Sequence, residues 1–178
     1  MVRDILIWPD PRLKEKAVPV DGVDADLQRL IDDMFETMYA AEGVGLAAPQ
    51  IGVMKRVVVI DTSATDEDVE PFAMINPVIV AREGESKYKE GCLSVPGEAE
   101  DVTRAAVVRV RFLDRDGQPK ELEATGLTGV AVQHECDHLD GVLFVDYLSS
   151  LKRELIKKRM KRLKKAREEE DREGAAAE

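Results

Sequence analysis

The chain contains only two histidines, and they stand four residues apart in the run His134-Glu135-Cys136-Asp137-His138. Chance would space a lone pair this way in about one chain in a hundred, and the glutamate after the first histidine lowers that about tenfold. On a helix, residues four apart share a face, so both imidazoles can point at one ion. Glu135 sits beside the first histidine, where its carboxylate can reach a water on that ion and act as base, then as acid. The pattern therefore predicts a helix over 127–139, stopped by Gly141. One face of that helix must meet a distant part of the chain, because two histidines do not complete a catalytic site.

A catalytic tetrahedral site takes three protein ligands and leaves the fourth position open. With no third histidine available, Cys92 is the outstanding candidate, in Glu90-Gly91-Cys92-Leu93-Ser94-Val95-Pro96. It lies 42 residues before His134, so the contact has to be tertiary. Gly91 would allow close backbone approach beside it. The bland reading of Cys92 is a small buried hydrophobe. Cys136 falls on the helix face opposite the histidines, which predicts burial and no ligation. A third stretch, Gly43-Val44-Gly45-Leu46-Ala47-Ala48-Pro49-Gln50, is rich in small residues that let a ligand lie against backbone. Gln50 could aim an amide donor at a developing oxyanion, or the stretch could be only a tightly packed turn.

The 178 residues suggest a single domain, with aromatics so few, at 4%, that the core must be aliphatic. Leu27, Leu30, Ile31, Met34 and Met38 make one face of a helix over 25–41, capped by Asp24 or Asp26. Residues 56–61 read as a buried strand, 62–70 as an acidic loop, and 1–20 as an extended arm with turns at its prolines. Met74–Val80 reads as a strand broken by Asn76-Pro77, which suits an edge or a strand start. Ala105–Leu113 and Pro119–Ala124 read as a hairpin turning at Asp116-Gly117. The order of elements predicts an α+β domain with antiparallel or mixed strands around the central His-Glu helix, not a βαβ fold. The catalytic domain is expected over 1–168, closed by an amphipathic helix over 149–168, with an acidic disordered tail over 169–178.

No apolar run reaches the roughly 18 residues of a membrane helix, and Asp4, Pro9 and Pro11 interrupt any signal-peptide core. A cytoplasmic protein without a membrane or DNA partner is the expectation. The net charge of −10 argues against binding nucleic acid over the whole surface. Residues 152–167 depart from it, with ten basic side chains against one acid, Glu154. That segment is either a solvated helix face or a docking surface for an anionic partner.

Together the three stretches resemble the peptide deformylases, as GVGLAAPQ (43–50), EGCLSVP (90–96) and QHECDHLDG (133–141). The likeness also takes in Pro9-Asp10-Pro11-Arg12-Leu13, Ile75-Asn76-Pro77, Leu113-Asp114-Arg115-Asp116-Gly117 and Gly141-Val142-Leu143-Phe144. The resemblance implies removal of the formyl group from N-terminal formyl-methionine of new polypeptides, releasing formate. It implies Cys92, His134 and His138 as metal ligands and Glu135 as acid/base. Gln50 and the Leu93 N–H would meet the oxyanion. Val44 and Gly45 would pair with the substrate chain, and Leu127, Val130 and Ala131 would line the methionine pocket. Glu90 and Arg104 would form an ion pair behind the cysteine. Ala99 departs from the family, which places an arginine there beside the substrate.

The ligand set alone fits Zn²⁺, whereas the resemblance implies Fe²⁺, with Zn²⁺, Ni²⁺ or Co²⁺ able to replace it. It also implies a monomer whose basic C-terminal helix docks on the ribosome. Two other readings are a zinc peptidase, which usually takes its third ligand downstream, and an RNA-binding module that keeps a structural metal.

Overall fold

The structure, a computed structural model, describes residues 1–176. Five strands form an antiparallel sheet in the order β1-β2-β3-β6-β7, and two more, β4 and β5, form a separate hairpin. The strands are β1 (Gly45–Ala47), β2 (Val57–Ile60), β3 (Phe72–Glu83), β4 (Ser86–Cys92), β5 (Val95–Arg104), β6 (Val107–Leu113) and β7 (Pro119–Thr125). Helices α1 (Ala25–Ala40), α2 (Gly126–Leu139) and α3 (Ser150–Ala176) complete the α+β fold, with short 3-10 turns between.

The layering follows from the β2 sequence, Val57-Val58-Val59-Ile60, in which all four residues are fully buried. Successive strand residues face opposite sides. Val57 and Val59 join Leu27, Leu30, Ile31, Met34 and Met38 of α1 in one apolar cluster. Val58 and Ile60 join Ala131, Val132, Cys136 and Leu139 of α2 in another. The sheet is thus sandwiched between the two helices. Asp24 caps α1, its carboxylate accepting from Leu27 N at 2.8 Å. A third cluster packs Ile156 and Met160 of α3 against Val95 and Val102 of the hairpin and Leu143–Val145.

Two expectations are corrected. The strand through Asn76-Pro77 is central, not an edge, flanked by β2 and β6. Its register shifts between Ile75 and Val78, so the donor that Pro77 lacks falls at a bulge. Asn76 adopts φ 52 there, and its amide exchanges two 2.8 Å hydrogen bonds with the backbone of Val20. The C-terminal helix also runs to Ala176, so residues 169–176 are helical where a disordered tail was expected. Three glutamates, Arg172 and two alanines in that stretch favour helix, and Lys165 pairs with Glu169 one turn on. Residues 177–178 of that expectation lie outside the described residues. The hairpin β4–β5 was not anticipated at all.

Candidate metal centre and cleft

The α2 helix presents His134 and His138 on one face, as their spacing requires, with the two Nε2 atoms 3.2 Å apart. Cys92, the last residue of β4, brings its Sγ to 3.3 Å from His138 Nε2. All three donor atoms lie within 4.8 Å of one another. Ligand bonds of about 2.0–2.3 Å in tetrahedral geometry would separate such donors by about 3.3–3.6 Å, so the residues fit a divalent ion. Burial alone would lower the His134 imidazolium, but hydrogen bonds with Cys92 and Glu90 outweigh it and hold it well above the ordinary range. The His138 imidazolium is held well below it, by burial and then by His134. One cation between the three donors would serve them all.

A chain of charges orients the site from behind. His134 Nδ1 donates to Glu90 Oε1 at 2.9 Å, which leaves Nε2 for the ion. Arg104 grips the same carboxylate with two hydrogen bonds, of 2.6 and 2.9 Å. Arg104 also donates to Asp137 at 2.9 Å, and Asp137 accepts from the Tyr147 hydroxyl at 2.7 Å. Cys136 is buried on the opposite face among Val58, Val108 and Leu139, and burial pushes its thiol up to about 12.

Above the three donors opens a cleft of about 630 Å³. Its floor is α2, one wall is the segment Gly43–Gly45 leading into β1, and the other is the hairpin β4–β5. Val44, Gly45, Gln50, Leu93, Leu127, Val130, Ala131, His134 and Glu135 all line it. Strand β1 has a partner on one side only. Leu127, Val130, Ala131 and His134 follow helical spacing, so an apolar patch leads along α2 to the first histidine. Glu135 Oε2 is buried without a hydrogen-bond partner. Burial pushes this carboxyl up to about 7, against the pull of His134 and Arg104. Gly45 makes room for it, since a Cβ there would stand 2.5 Å from Glu135 Oε1.

The Gln50 amide is held at both ends. Its Oε1 accepts from Ala47 N at 2.9 Å, and its Nε2 donates to Ser94 Oγ at 3.1 Å and approaches Cys92 Sγ at 3.6 Å. Ser94 had no expected role. Nor did Gln133, which bonds both backbone groups of Ala105 and so ties α2 to the connection between β5 and β6. The N-terminal arm also serves the site, with Leu6 N donating to Gln50 O and Trp8 N to Ser94 O, at 2.8 and 2.9 Å. Nothing in the sequence of residues 5–8 announces those contacts.

The fold and the convergent donors are those of a metal-dependent hydrolase. The family model described as polypeptide deformylase matches residues 2–154. "Peptide deformylase 2" of Xanthomonas campestris is 58% identical over 164 residues, covering 90% of this chain and 95% of that protein. The peptide deformylase of Alkalilimnicola ehrlichii is 57% identical over 162 residues, covering 91% and 90%. The crystal structure of a Legionella pneumophila peptide deformylase is 48% identical with a TM-score of 0.88, covering 94% and 98%. That of the Ehrlichia chaffeensis enzyme in complex with actinonin is 41% identical with a TM-score of 0.87, covering 90% and 96%. The chain belongs to the polypeptide deformylase family, and it is an amidohydrolase.

Proposed function

We infer that the cleft removes the N-formyl group from the formyl-methionine of newly made polypeptides, releasing formate. The observation that carries this reading is the meeting, beside one cleft, of three clustered donors, the unpartnered Glu135 carboxylate and the fixed Gln50 amide. Cys92, His134 and His138 hold the ion, for which the proposal is Fe²⁺, with Zn²⁺, Ni²⁺ or Co²⁺ able to take its place. A bound divalent ion supplies Lewis acidity, polarising the formyl carbonyl and bringing the pKa of a water molecule beside it from about 15.7 to near 7.

The chain's own residues do the rest. The free edge of Val44–Gly45 accepts the extended substrate backbone as an added strand, and Leu127, Val130 and Ala131 receive the methionine side chain. Gln50 Nε2 and the backbone N–H of Leu93 donate to the oxygen that gains charge as the carbonyl carbon becomes tetrahedral. Ala47 and Ser94 fix the amide, so it does not reorganise as charge develops. Glu135 takes a proton from the attacking water at Oε2 and returns it to the departing amine. The enzyme acts in the cytoplasm as a monomer, and the basic face of α3 docks on the ribosome. Among the described residues no helix is long and apolar enough to cross a membrane.

The test is formate release from a formyl-Met peptide under anaerobic conditions, with metal analysis of the same sample. Gln50→Ala is expected to reduce kcat by about 100- to 1000-fold. Cleavage of unformylated peptides instead, with no formate released, would overturn the reading in favour of a peptidase.

A further inference from the structure

Among the described residues, six glutamate, lysine and arginine side chains line the cleft, and three of them already have a place. Glu90 is held by Arg104 and His134, Glu98 is held by Arg159, and Glu135 sits on the floor. Glu42, Lys89 and Arg167 line it without an ion pair among the described residues. Arg167 comes from α3, and among the described residues no other residue of that helix lines the cleft.

Its position is fixed by the packing of α3. Ile156 and Met160 are buried, at 1% and 3% exposure, against the hairpin and the segment around Phe144. Arg159 Nη2 meets Glu98 Oε2 and Lys152 Nζ meets Glu100 Oε2, both at 2.8 Å, so the helix is clamped along β5. Arg167 follows Met160 by seven residues, about two turns and about 10 Å along the same face. That spacing accords with the place of its side chain in the lining of the cleft. A guanidinium is always charged and presents a planar fork that fits a carboxylate.

We propose that Arg167 is a specificity residue of the cleft, meeting an acidic side chain of the substrate downstream of its first residue. The proposal rests on the reading that the formylated chain lies in this cleft. An extended chain advances by about 3.3 Å per residue, so the second to fourth residues run outward from the metal centre toward its rim. Of the charges that line the cleft without an ion pair among the described residues, two are cations and one is an acid, in a chain whose net charge is −10.

The test uses the full chain loaded with Fe²⁺ under anaerobic conditions and C-terminally amidated formyl-Met tetrapeptides, so that the only carboxylate is a side chain. Aspartate, serine or lysine is placed in turn at positions two, three and four. At low salt the wild type is expected to favour aspartate over lysine in kcat/KM by about two- to five-fold at one of these positions, the range of an exposed ion pair. Arg167→Ala removes that preference and Arg167→Glu inverts it. Lys89→Ala retains it. Dissociation constants of the matching unformylated product peptides move in the same order. No acidic preference at any position, or one that survives Arg167→Ala and disappears in Lys89→Ala, overturns the assignment while leaving the deformylase reading intact. If the serine peptides are not deformylated by the wild type, the reading of the cleft fails and this inference falls with it.

Discussion

The α-carbon of Gly45 faces the carboxylate of Glu135 so closely that a Cβ on the glycine would lie 2.5 Å from Oε1 and 2.9 Å from Cδ. The strand edge proposed to bind substrate and the proposed general base are thus in direct contact. Gly45→Ala must push Glu135 aside, because β1 is buried and paired with β2 through Ile60. A displacement of about 1 Å of a catalytic group costs about 100-fold in rate. The variant is expected to lose about that much turnover while retaining its metal, as the three heavy atoms nearest the added Cβ all belong to Glu135 and none to Cys92, His134 or His138. Turnover and metal content measured on one sample check this, and wild-type rates would separate Gly45 from the placement of Glu135.

Glu90 serves two masters, the His134 imidazole and the Arg104 guanidinium, and both ends of the ion pair are nearly inaccessible. Replacing Glu90 with glutamine keeps the volume but removes the charge that sets the imidazole. Loss of such a partner typically weakens metal binding by about 10- to 100-fold, to be read by competition with a chelator. Arg104→Ala acts differently, since it strands a buried carboxylate and also releases Asp137. Destabilisation of about 3–5 kcal/mol is expected from an uncompensated buried charge, measurable by urea unfolding. Equal effects of the two variants on stability and on metal affinity would contradict this division of roles.

The metal-binding helix was legible because its signal is chemical and rare, with two histidines, one spacing and one glutamate. Helix α1 and strand β2 were legible because their apolar periodicity matches what they bury. The hairpin β4–β5 was not, and its composition explains why. Ser86–Cys92 and Val95–Arg104 are mostly polar, with one face in solvent, and they meet α2 through Glu90 and Arg104 more than through apolar side chains. Pro77 misled for a related reason, since the rule against proline in central strands yields where a bulge absorbs the missing donor. Tertiary contacts from residues 5–8 to Gln50 and Ser94 leave no local pattern to read.

Cys92 and Glu135 should fail in opposite ways. Cys92 supplies the sulfur among the three clustered donors, so Cys92→Ala removes one of three proposed ligands and is expected to empty the site. Glu135 lines the cleft with an unpartnered oxygen but is not one of the three clustered donors. Glu135→Ala should therefore keep full metal occupancy and lose nearly all turnover. Elemental analysis beside a formate assay distinguishes them. Full occupancy in Cys92→Ala would contradict its role as a ligand.

Asp10 supplies a pH dependence through a group outside the three clustered donors. It caps the turn Pro11–Lys14, accepting from the Arg12 backbone N at 3.0 Å and from its guanidinium at 3.0 and 2.8 Å. The Arg12 side chain holds the Asp10 carboxyl below the usual range, against the opposing effect of burial. A folded-state pKa below the unfolded value of about 3.9 means that the charged form is favoured by folding. Its stabilisation is complete above that pH and is lost as pH falls through the folded value. Asp10→Asn keeps an acceptor for the cap but does not titrate. The urea midpoint of the wild type should therefore fall more steeply than that of the variant between about pH 5 and pH 2.5, the two converging at the acid end. Parallel curves over that range would remove Asp10 from the acid response of the fold.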